Sequence, residues 1–297
     1  ETEDGTFHAG VGGNIVKNTD SIYTKFSLPG QENMTDEEKL QKIYDVSEEC
    51  SKRISETFKD PIDLEMEDIK YPIALYSKKR YVYRQITRNK NGEINDDGIV
   101  AKGIQTVRRD NCKYVKSVCN PILDEMMYGR DIEKAKKMAM ESIDKLLNRD
   151  VNIYDLVITK SLKPTYKTVN IAGNKMSAPA HWHLAQKMKK RDPGTAPKAG
   201  SRVPFVFIEN PDKNALQADR VEDPEWVLNN PKTCKTDMLY YLDKQLISPL
   251  ETIFQVVIFR PDGTLYPLDN NNKISKEYKR EIAKQMWESR RQKYINK

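Results

Sequence analysis

The stretch Gly12-Gly13-Asn14-Ile15-Val16-Lys17-Asn18-Thr19-Asp20-Ser21-Ile22-Tyr23-Thr24 joins a glycine-rich leader to a segment that is typical of a β-strand, Ile22 to Phe26. Asp20 stands in a tight turn at the start of that segment, where a carboxylate is well placed to hold a divalent cation. Taken alone, Thr19-Asp20-Ser21 is equally typical of an ordinary turn or helix cap. Its interpretation therefore depends on the residues on either side.

The residues that follow have the pattern of an α+β fold. Thr35-Asp36-Glu37-Glu38 predicts a capping box, and apolar residues recur at helical spacing from Leu40 to Phe58. Further strands are predicted at 62–66, 74–76, 81–87 and 99–102, with a polar turn at 89–92 before the last of them. From about Cys112 the pattern becomes mostly helical, most clearly over 131–149. We predict an antiparallel sheet with one helix, followed by a mostly helical domain.

Composition excludes several classes of protein. The chain has 297 residues, 38% hydrophobic and 32% charged, without an apolar run near the roughly 18 residues that span a bilayer and without a signal peptide. We therefore expect an intracellular protein with no membrane role. The four cysteines are too scattered to form a structural zinc site: Cys50, Cys112, Cys119 and Cys234. The first methionine is Met34, so we expect Glu1 to begin a fragment or a processed product.

Positive charge is concentrated after residue 18. Residues 1–18 contain three acids and one lysine, which gives them a net charge of −2. Since the whole chain has a net charge of +6, residues 19–297 carry a net charge of +8. This surplus favours a polyanionic partner. Its densest part is Lys78-Lys79-Arg80-Tyr81, where three cations and an aromatic ring are suited to grip phosphates and stack beside a sugar. The alternative is a solvated charge cluster at a strand edge.

Several segments, in this order, resemble those of B-family DNA polymerases. Thr19-Asp20-Ser21 is similar to the second half of the family signature Tyr-Gly-Asp-Thr-Asp-Ser. The later segments are Glu65-Met66-Glu67, Ser77–Tyr81, Lys102–Asp110, Leu156–Lys160, Lys190–Pro197 and Gly200–Phe205. The resemblance runs from Thr19 to about Phe259 and is closest to the delta type and its large-DNA-virus relatives.

The resemblance implies a domain organisation and a set of site residues. Residues 19–110 would complete the palm, 111–260 would form the thumb, and 261–297 would be a basic C-terminal tail. Asp20 would bind metal in a site for two Mg²⁺ ions, with Glu65 and Glu67 as weaker acidic neighbours. The residues implied to hold the primer terminus are Lys78, Lys79, Arg80 and Tyr81, and those implied to contact the duplex or its phosphates are Lys102, Arg108, Arg109, Lys160 and Arg202.

It also implies a DNA-directed DNA polymerase, a nucleotidyltransferase of DNA replication, that is incomplete as given. Its partners would be a primer–template, deoxynucleoside triphosphates, a sliding clamp and the N-terminal polymerase portion, joined covalently or encoded separately. That portion would hold the other metal-binding palm Asp, the fingers and the exonuclease, so this chain alone would not polymerise DNA. The cysteine-rich module that follows the thumb in cellular delta enzymes is missing, so we expect the replication sites of a large DNA virus.

Residues 1–18 resemble the C-terminal end of an intein, a self-excising element that ends in Asn before Ser, Thr or Cys. Asn18 stands where the first Asp of the signature belongs, and Thr19 follows it. The resemblance implies a short β intein remnant that splices at Asn18 and Thr19, with one alternative being a glycine-rich leader. Lys17 and Gly5 stand at the positions where inteins usually have the histidines that assist cyclisation of the terminal Asn. The other functions left open are the C-terminal half of a trans-splicing pair and a remnant that only binds DNA.

Overall fold

The computed structural model describes residues 23–77, 79–104, 111–166, 170–171, 174–175, 178–212, 214–268 and 273–296. The chain divides into two compact units, Glu1–Gly103 and Ile104–Lys297. Both combine helices with antiparallel strands, so the predicted α+β organisation is confirmed. No helix in the described ranges is both long and apolar enough to cross a membrane.

The first unit packs one helix on a three-stranded sheet. Helix α1 is Asp36–Ser55, and the strands are β1 (Ile69–Ser77), β2 (Arg80–Arg88) and β3 (Ile94–Lys102), in the order β1-β2-β3. The predicted capping box is confirmed, because the Thr35 hydroxyl accepts from the Glu38 amide and the Glu38 carboxylate accepts from the Thr35 amide. The core between helix and sheet consists of Leu40, Tyr44, Ile69 and Ile86.

Two predicted strands differ from the structure. Residues 62–66 form no strand: the Leu64 amide donates to the Ser55 hydroxyl at 2.9 Å instead of to a neighbouring strand, and Ile62 is 62% exposed. Of residues 23–26, only Lys25 makes a β-bridge. To form a β-strand, an apolar segment needs a neighbouring strand to pair with as well as residues of high β propensity. Neither of these segments has such a neighbouring strand within the described residues.

The second unit begins with two long helices. Helix α2 (Lys113–Asp124) continues as a π-helical turn to Gly129, and α3 (Ile132–Leu147) matches the helix predicted over 131–149. The first sheet-forming strand is β4 (Ile158–Ser161), and a small hairpin of β5 (Asn170–Ile171) and β6 (Asn174–Lys175) follows.

The rest of this unit completes a three-stranded sheet and adds helices around it. Helix α4 is Ala180–Arg191, followed by β7 (Arg202–Phe207) and β8 (Val221–Glu222), and the antiparallel sheet has the order β4-β7-β8. Short helices α5 (Pro224–Asn229) and α6 (Met238–Tyr240) lead through a π-helical turn to α7 (Ile247–Phe254). The largest fully buried side chains of the second unit include those of Tyr241, Phe254, Ile143 and Leu146.

The end of the chain is part of the second unit. Helices α8 (Lys276–Met286) and α9 (Glu288–Ile295) lie in the region that the sequence predicts as a separate basic tail. Tyr278 and Ile282 are fully buried, and the Tyr278 hydroxyl donates to the Glu251 carbonyl at 3.0 Å. Two arginines of α9 pair with other elements of the unit, Arg290 with Asp144 at 3.0 Å and Arg291 with Asp243 at 2.8 Å. Part of the positive charge of this region is therefore used within the fold.

Candidate functional site

The basic hairpin between β1 and β2 brings four predicted site residues together. Ser77 pairs directly with Arg80 across the turn, and Lys79 within it is exposed, with φ 63°. Tyr81 pairs with Lys102 of β3, so a lysine from a distant segment stands opposite the ring that follows the turn. The structure thus groups Lys79, Arg80, Tyr81 and Lys102 at one end of the sheet.

Gly103 determines how closely the end of β3 approaches this turn. Its φ is 67°, and a Cβ added there would lie 2.1 Å from the carbonyl oxygen of Lys79. No real Cβ makes so short a contact, and the left-handed conformation disfavours a side chain in any case. A glycine is therefore needed for β3 to end against the hairpin turn.

A cluster of aromatic rings supports Tyr81. The Tyr23 hydroxyl donates to the Tyr81 hydroxyl at 3.4 Å, and their rings meet edge to face with centroids 6.2 Å apart. The Tyr81 and Tyr83 rings stack at 5.8 Å on the same face of β2. Tyr23 follows Asp20 by three residues. The cluster therefore ties the chain just after the predicted metal ligand to the strand that carries Tyr81.

Lys70 lies beneath this cluster. Its Nζ is 5.1 Å from the centroid of the Tyr23 ring and 5.0 Å from that of Tyr83, and it forms a largely buried ion pair with Asp68. Burial lowers the pKa of Lys70, whereas the nearby charge of Glu67 raises it. Burial also raises the pKa of Tyr23 and of Tyr83. These tyrosines stay protonated at neutral pH and pack as neutral rings against an ammonium group.

Sequence reasoning missed three members of this group, Tyr23, Lys70 and Tyr83. The alternation of Tyr81 and Tyr83 along one strand was a signal for two rings on the same face. Lys70 gave no such signal, because a lysine near the start of a strand is ordinarily solvated.

The predicted metal ligands are only partly described. Glu65 and Glu67 lie in the exposed loop before β1, and their carboxylate oxygens are donors that suit Mg²⁺. Within the described residues, however, no group of three His, Cys, Asp or Glu side chains is close enough to hold a metal ion. Several predicted site residues lie outside the described residues: Asn18, Thr19, Asp20, Lys78, Arg108 and Arg109. The two-metal site stays a prediction.

In the second unit, Lys160 and Arg202 lie on the paired strands β4 and β7. Lys160 pairs with Val203, and Ser161 with Arg202. The Arg202 guanidinium donates to the Thr159 carbonyl at 2.9 Å and to the Thr159 hydroxyl at 2.8 Å. Its position is therefore fixed at the edge of the sheet while the residue remains exposed. Contact of either side chain with phosphate stays a prediction.

Glu222 is a buried carboxylate that organises the basic face of α4. It is 1% exposed, and it accepts hydrogen bonds from Arg191 at 2.8 and 2.9 Å and from Lys187. Burial raises the pKa of Glu222, but the hydrogen bonds from Arg191 and Lys187 outweigh it, so the net shift is downward and the group is ionised. The Arg191 guanidinium also stacks 3.7 Å from the centroid of Trp226. Sequence reasoning missed this network because its partners are far apart in the chain.

Comparisons with known proteins agree with the resemblance. Residues 15–257 match the family described as DNA polymerase family B. The DNA polymerase of Acanthamoeba polyphaga mimivirus is 36% identical over 284 residues, covering 92% of this chain and 16% of the relative. The DNA polymerase delta catalytic subunit of Candida albicans is 37% identical over 241 residues, covering 81% of this chain and 21% of the relative. The chain thus spans about a fifth or less of the length of these relatives.

A solved family B DNA polymerase from the hyperthermophilic archaeon Pyrobaculum calidifontis aligns with a TM-score of 0.49 at 20% sequence identity, covering 72% of this chain and 25% of that one. The family assignment depends on the sequence match, which extends over most of the residues present. This chain belongs to DNA polymerase family B.

Proposed function

We propose that this chain supplies the last part of the palm and the thumb of a DNA-directed DNA polymerase. The observation that carries the proposal is the hairpin end of the first unit, where Lys79, Arg80, Tyr81 and Lys102 converge beside the chain that follows Asp20. Membership of DNA polymerase family B supports the same activity.

In this mechanism, Asp20 would hold two Mg²⁺ ions together with Glu65 or Glu67 and with upstream carboxylates. Bound Mg²⁺ supplies activation of the primer hydroxyl and stabilisation of charge on the triphosphate. Lys79 and Arg80, together with Lys78, donate to the phosphates of the primer terminus.

The other predicted DNA contacts orient the substrate. Tyr81, fixed between Tyr23 and Tyr83, orients the terminal sugar. The basic residues that hold the duplex backbone without reading its sequence are Lys102, Arg108, Arg109, Lys160 and Arg202.

The partners follow from this role. They are a primer–template, deoxynucleoside triphosphates, the upstream polymerase portion and a sliding clamp. Relatives from large DNA viruses support the replication sites of such a virus as the place of action.

The test is primer extension by this chain alone and by the chain joined to its upstream polymerase portion. We expect no synthesis by the chain alone and templated synthesis by the joined protein, which stops when EDTA removes Mg²⁺. Extension that continues in EDTA would contradict the two-metal mechanism. DNA binding with a steep salt dependence, but without synthesis by the joined protein, would instead support a remnant that only binds DNA.

We also propose that residues 1–18 are the C-terminal end of an intein and that splicing occurs between Asn18 and Thr19. The supporting observation is the position of Asn18, which replaces the first Asp of the polymerase signature and is followed by a hydroxyl residue. In this reaction the Asn18 side-chain nitrogen attacks its own backbone carbonyl and breaks the bond to Thr19, whose hydroxyl has accepted the upstream segment as an ester. The rest of the intein lies upstream or in a separate partner of a trans-splicing pair.

For splicing, we expect Asn18→Ala to stop the release of residues 1–18, because alanine has no side-chain amide to cyclise. Mass spectrometry of the chain expressed with its upstream intein segment measures the release. Asn14→Ala, four residues earlier, is the matched control and should leave release unchanged. A ligated product in the Asn18→Ala protein would refute the mechanism.

A further inference from the structure

A surface cavity of about 380 Å³ lies in the second unit, directly beyond the end of β4, the strand that carries Lys160. It is bounded by the end of β4, one face of α4 and the loop that follows α4. Its apolar floor includes Leu162 and Ala185, which are both buried, and Trp182 forms part of its wall. Volumes of this size are typical of pockets that bind small molecules or single residues of a polymer.

Three lysines surround the cavity: Lys163, Lys189 and Lys198. All three are exposed, and within the described part of the chain none of them forms an ion pair. Among the described residues, no acidic side chain lines the cavity. The nearest acid in sequence, Asp192, accepts from the Gly194 amide and the Thr195 hydroxyl, so its charge is directed into its own loop. The described lining of the cavity therefore carries three positive charges and no negative one.

Three basic residues in the second half of α4 lie in two different environments. Lys187 and Arg191 both donate to the buried Glu222, whose single negative charge offsets one of their two positive charges. Lys189, between them in sequence, lines the cavity, where the described lining contains no carboxylate. Lys190 is also exposed but does not line the cavity, so Lys189 is the lysine of α4 that can hold an anion there.

The walls of the cavity are held in place before any ligand binds. The Trp182 and His183 rings meet edge to face, with centroids 5.0 Å apart. The loop after α4 is tied to β4, because the Leu162 amide donates to the Ser201 carbonyl and the Gly200 amide to the Leu162 carbonyl, both at 2.8 Å. A preorganised site loses less entropy when it binds.

We propose that this cavity binds a single-stranded segment of DNA, with a base stacked on Trp182 and its phosphates held by Lys163, Lys189 and Lys198. Aromatic side chains beside a basic groove are the usual means of holding unpaired nucleotides. A duplex offers no free base face to Trp182, because its bases are already stacked on each other, whereas an unpaired base can stack on the indole ring. The proposal rests on the proposed function only in taking DNA as the nucleic acid.

The test measures equilibrium binding of this chain to a fluorescein-labelled oligothymidylate by anisotropy, without synthesis. The groove variant replaces its three lysines by glutamine: Lys163→Gln, Lys189→Gln and Lys198→Gln. The control variant removes the same charge from exposed lysines elsewhere in the second unit: Lys145→Gln, Lys232→Gln and Lys293→Gln. Unchanged thermal melting shows that both variants are folded.

We expect the groove variant to bind the oligothymidylate about tenfold or more weakly, while the control variant stays close to the original chain. The slope of log affinity against log salt should fall by about two in the groove variant, because each phosphate contact on a single strand contributes about 0.7. Trp182→Leu should weaken binding, and Trp182→Phe should restore most of it, because only phenylalanine keeps an aromatic face.

Three results would overturn the proposal. The first is equal loss of affinity in the groove and control variants, which indicates an effect of total charge. The second is equal competition by a blunt duplex, which indicates a backbone site. The third is equal competition by polyglutamate, which indicates a site for acidic protein segments. No nucleotide is incorporated in this assay, so a negative binding result does not contradict the proposed polymerase function. Conversely, if the joined protein synthesises no DNA, binding of the oligothymidylate can still be measured.

Discussion

Replacing Asp20 with asparagine is expected to abolish templated synthesis by the protein joined to its upstream polymerase portion. Asparagine keeps the size of the side chain but removes the negative charge that would hold Mg²⁺. Loss of a metal ligand from a two-metal site should lower the rate of nucleotide incorporation by about a thousandfold or more, which corresponds to about 4 kcal/mol in the barrier. Single-turnover primer extension at saturating nucleotide measures that rate.

The comparison that makes this result specific is Asp63→Asn, which removes an exposed carboxylate from the same unit. We expect this control to synthesise DNA normally. Affinity for the primer–template should survive in Asp20→Asn, because phosphate contacts are assigned to other residues. A variant that loses DNA affinity but keeps metal-dependent synthesis would show that the role given to Asp20 is wrong.

Replacing Gly103 with alanine is expected to disrupt the hairpin that carries Lys79, Arg80 and Tyr81. The added methyl group would lie 2.1 Å from the Lys79 carbonyl oxygen, so the turn or the end of β3 must move. The left-handed backbone adds about 1 kcal/mol, and the steric conflict should bring the total to about 3 kcal/mol or more. Faster hydrogen exchange of the amides in β1 and β2 measures this loss of local stability.

The chain offers a matched control in Gly98, which lies in β3, the strand that ends just before Gly103. Its φ is 91°, but a Cβ there meets nothing within 4 Å, so Gly98→Ala carries the backbone strain without the collision. We expect it to cost about 1 kcal/mol and to leave primer-terminus affinity nearly unchanged. In the joined polymerase, Gly103→Ala should weaken that affinity about tenfold or more. Equal effects of the two substitutions would mean that the close approach to Lys79 has no role of its own.

Agreement between sequence and structure is best where the determining interactions are local. The Thr35 capping box and the polar turn at Asn89–Gly92 involve residues within four positions of each other, and both are observed. The helix predicted over 131–149 is found as α3, whose N-cap is Asp131. Each of these features depends on hydrogen bonds that the segment makes with itself.

Predictions that required knowledge of neighbouring segments were less complete. Residues 62–66 have a strand-like composition but form a loop, because no strand pairs with them in the described residues. Helices α8 and α9 have the composition of a basic tail, yet Tyr278 and Ile282 are buried and two arginines pair with Asp144 and Asp243. Composition reports the charges present and not the partners that compensate them.

The sequence by itself determined the family, the order of the basic and acidic segments, and the elements that local hydrogen bonds define. Only the tertiary structure decided which charged side chains are buried or paired within the fold. It brings the rings of Tyr23 and Tyr83 against Lys70, with Tyr81 stacked on Tyr83. It also places Glu222 against Arg191 and Lys187, from which it is separated by 31 and 35 positions. The physical reason is that a charge or ring acquires its role from what desolvates and neutralises it, and those neighbours come from distant parts of the chain.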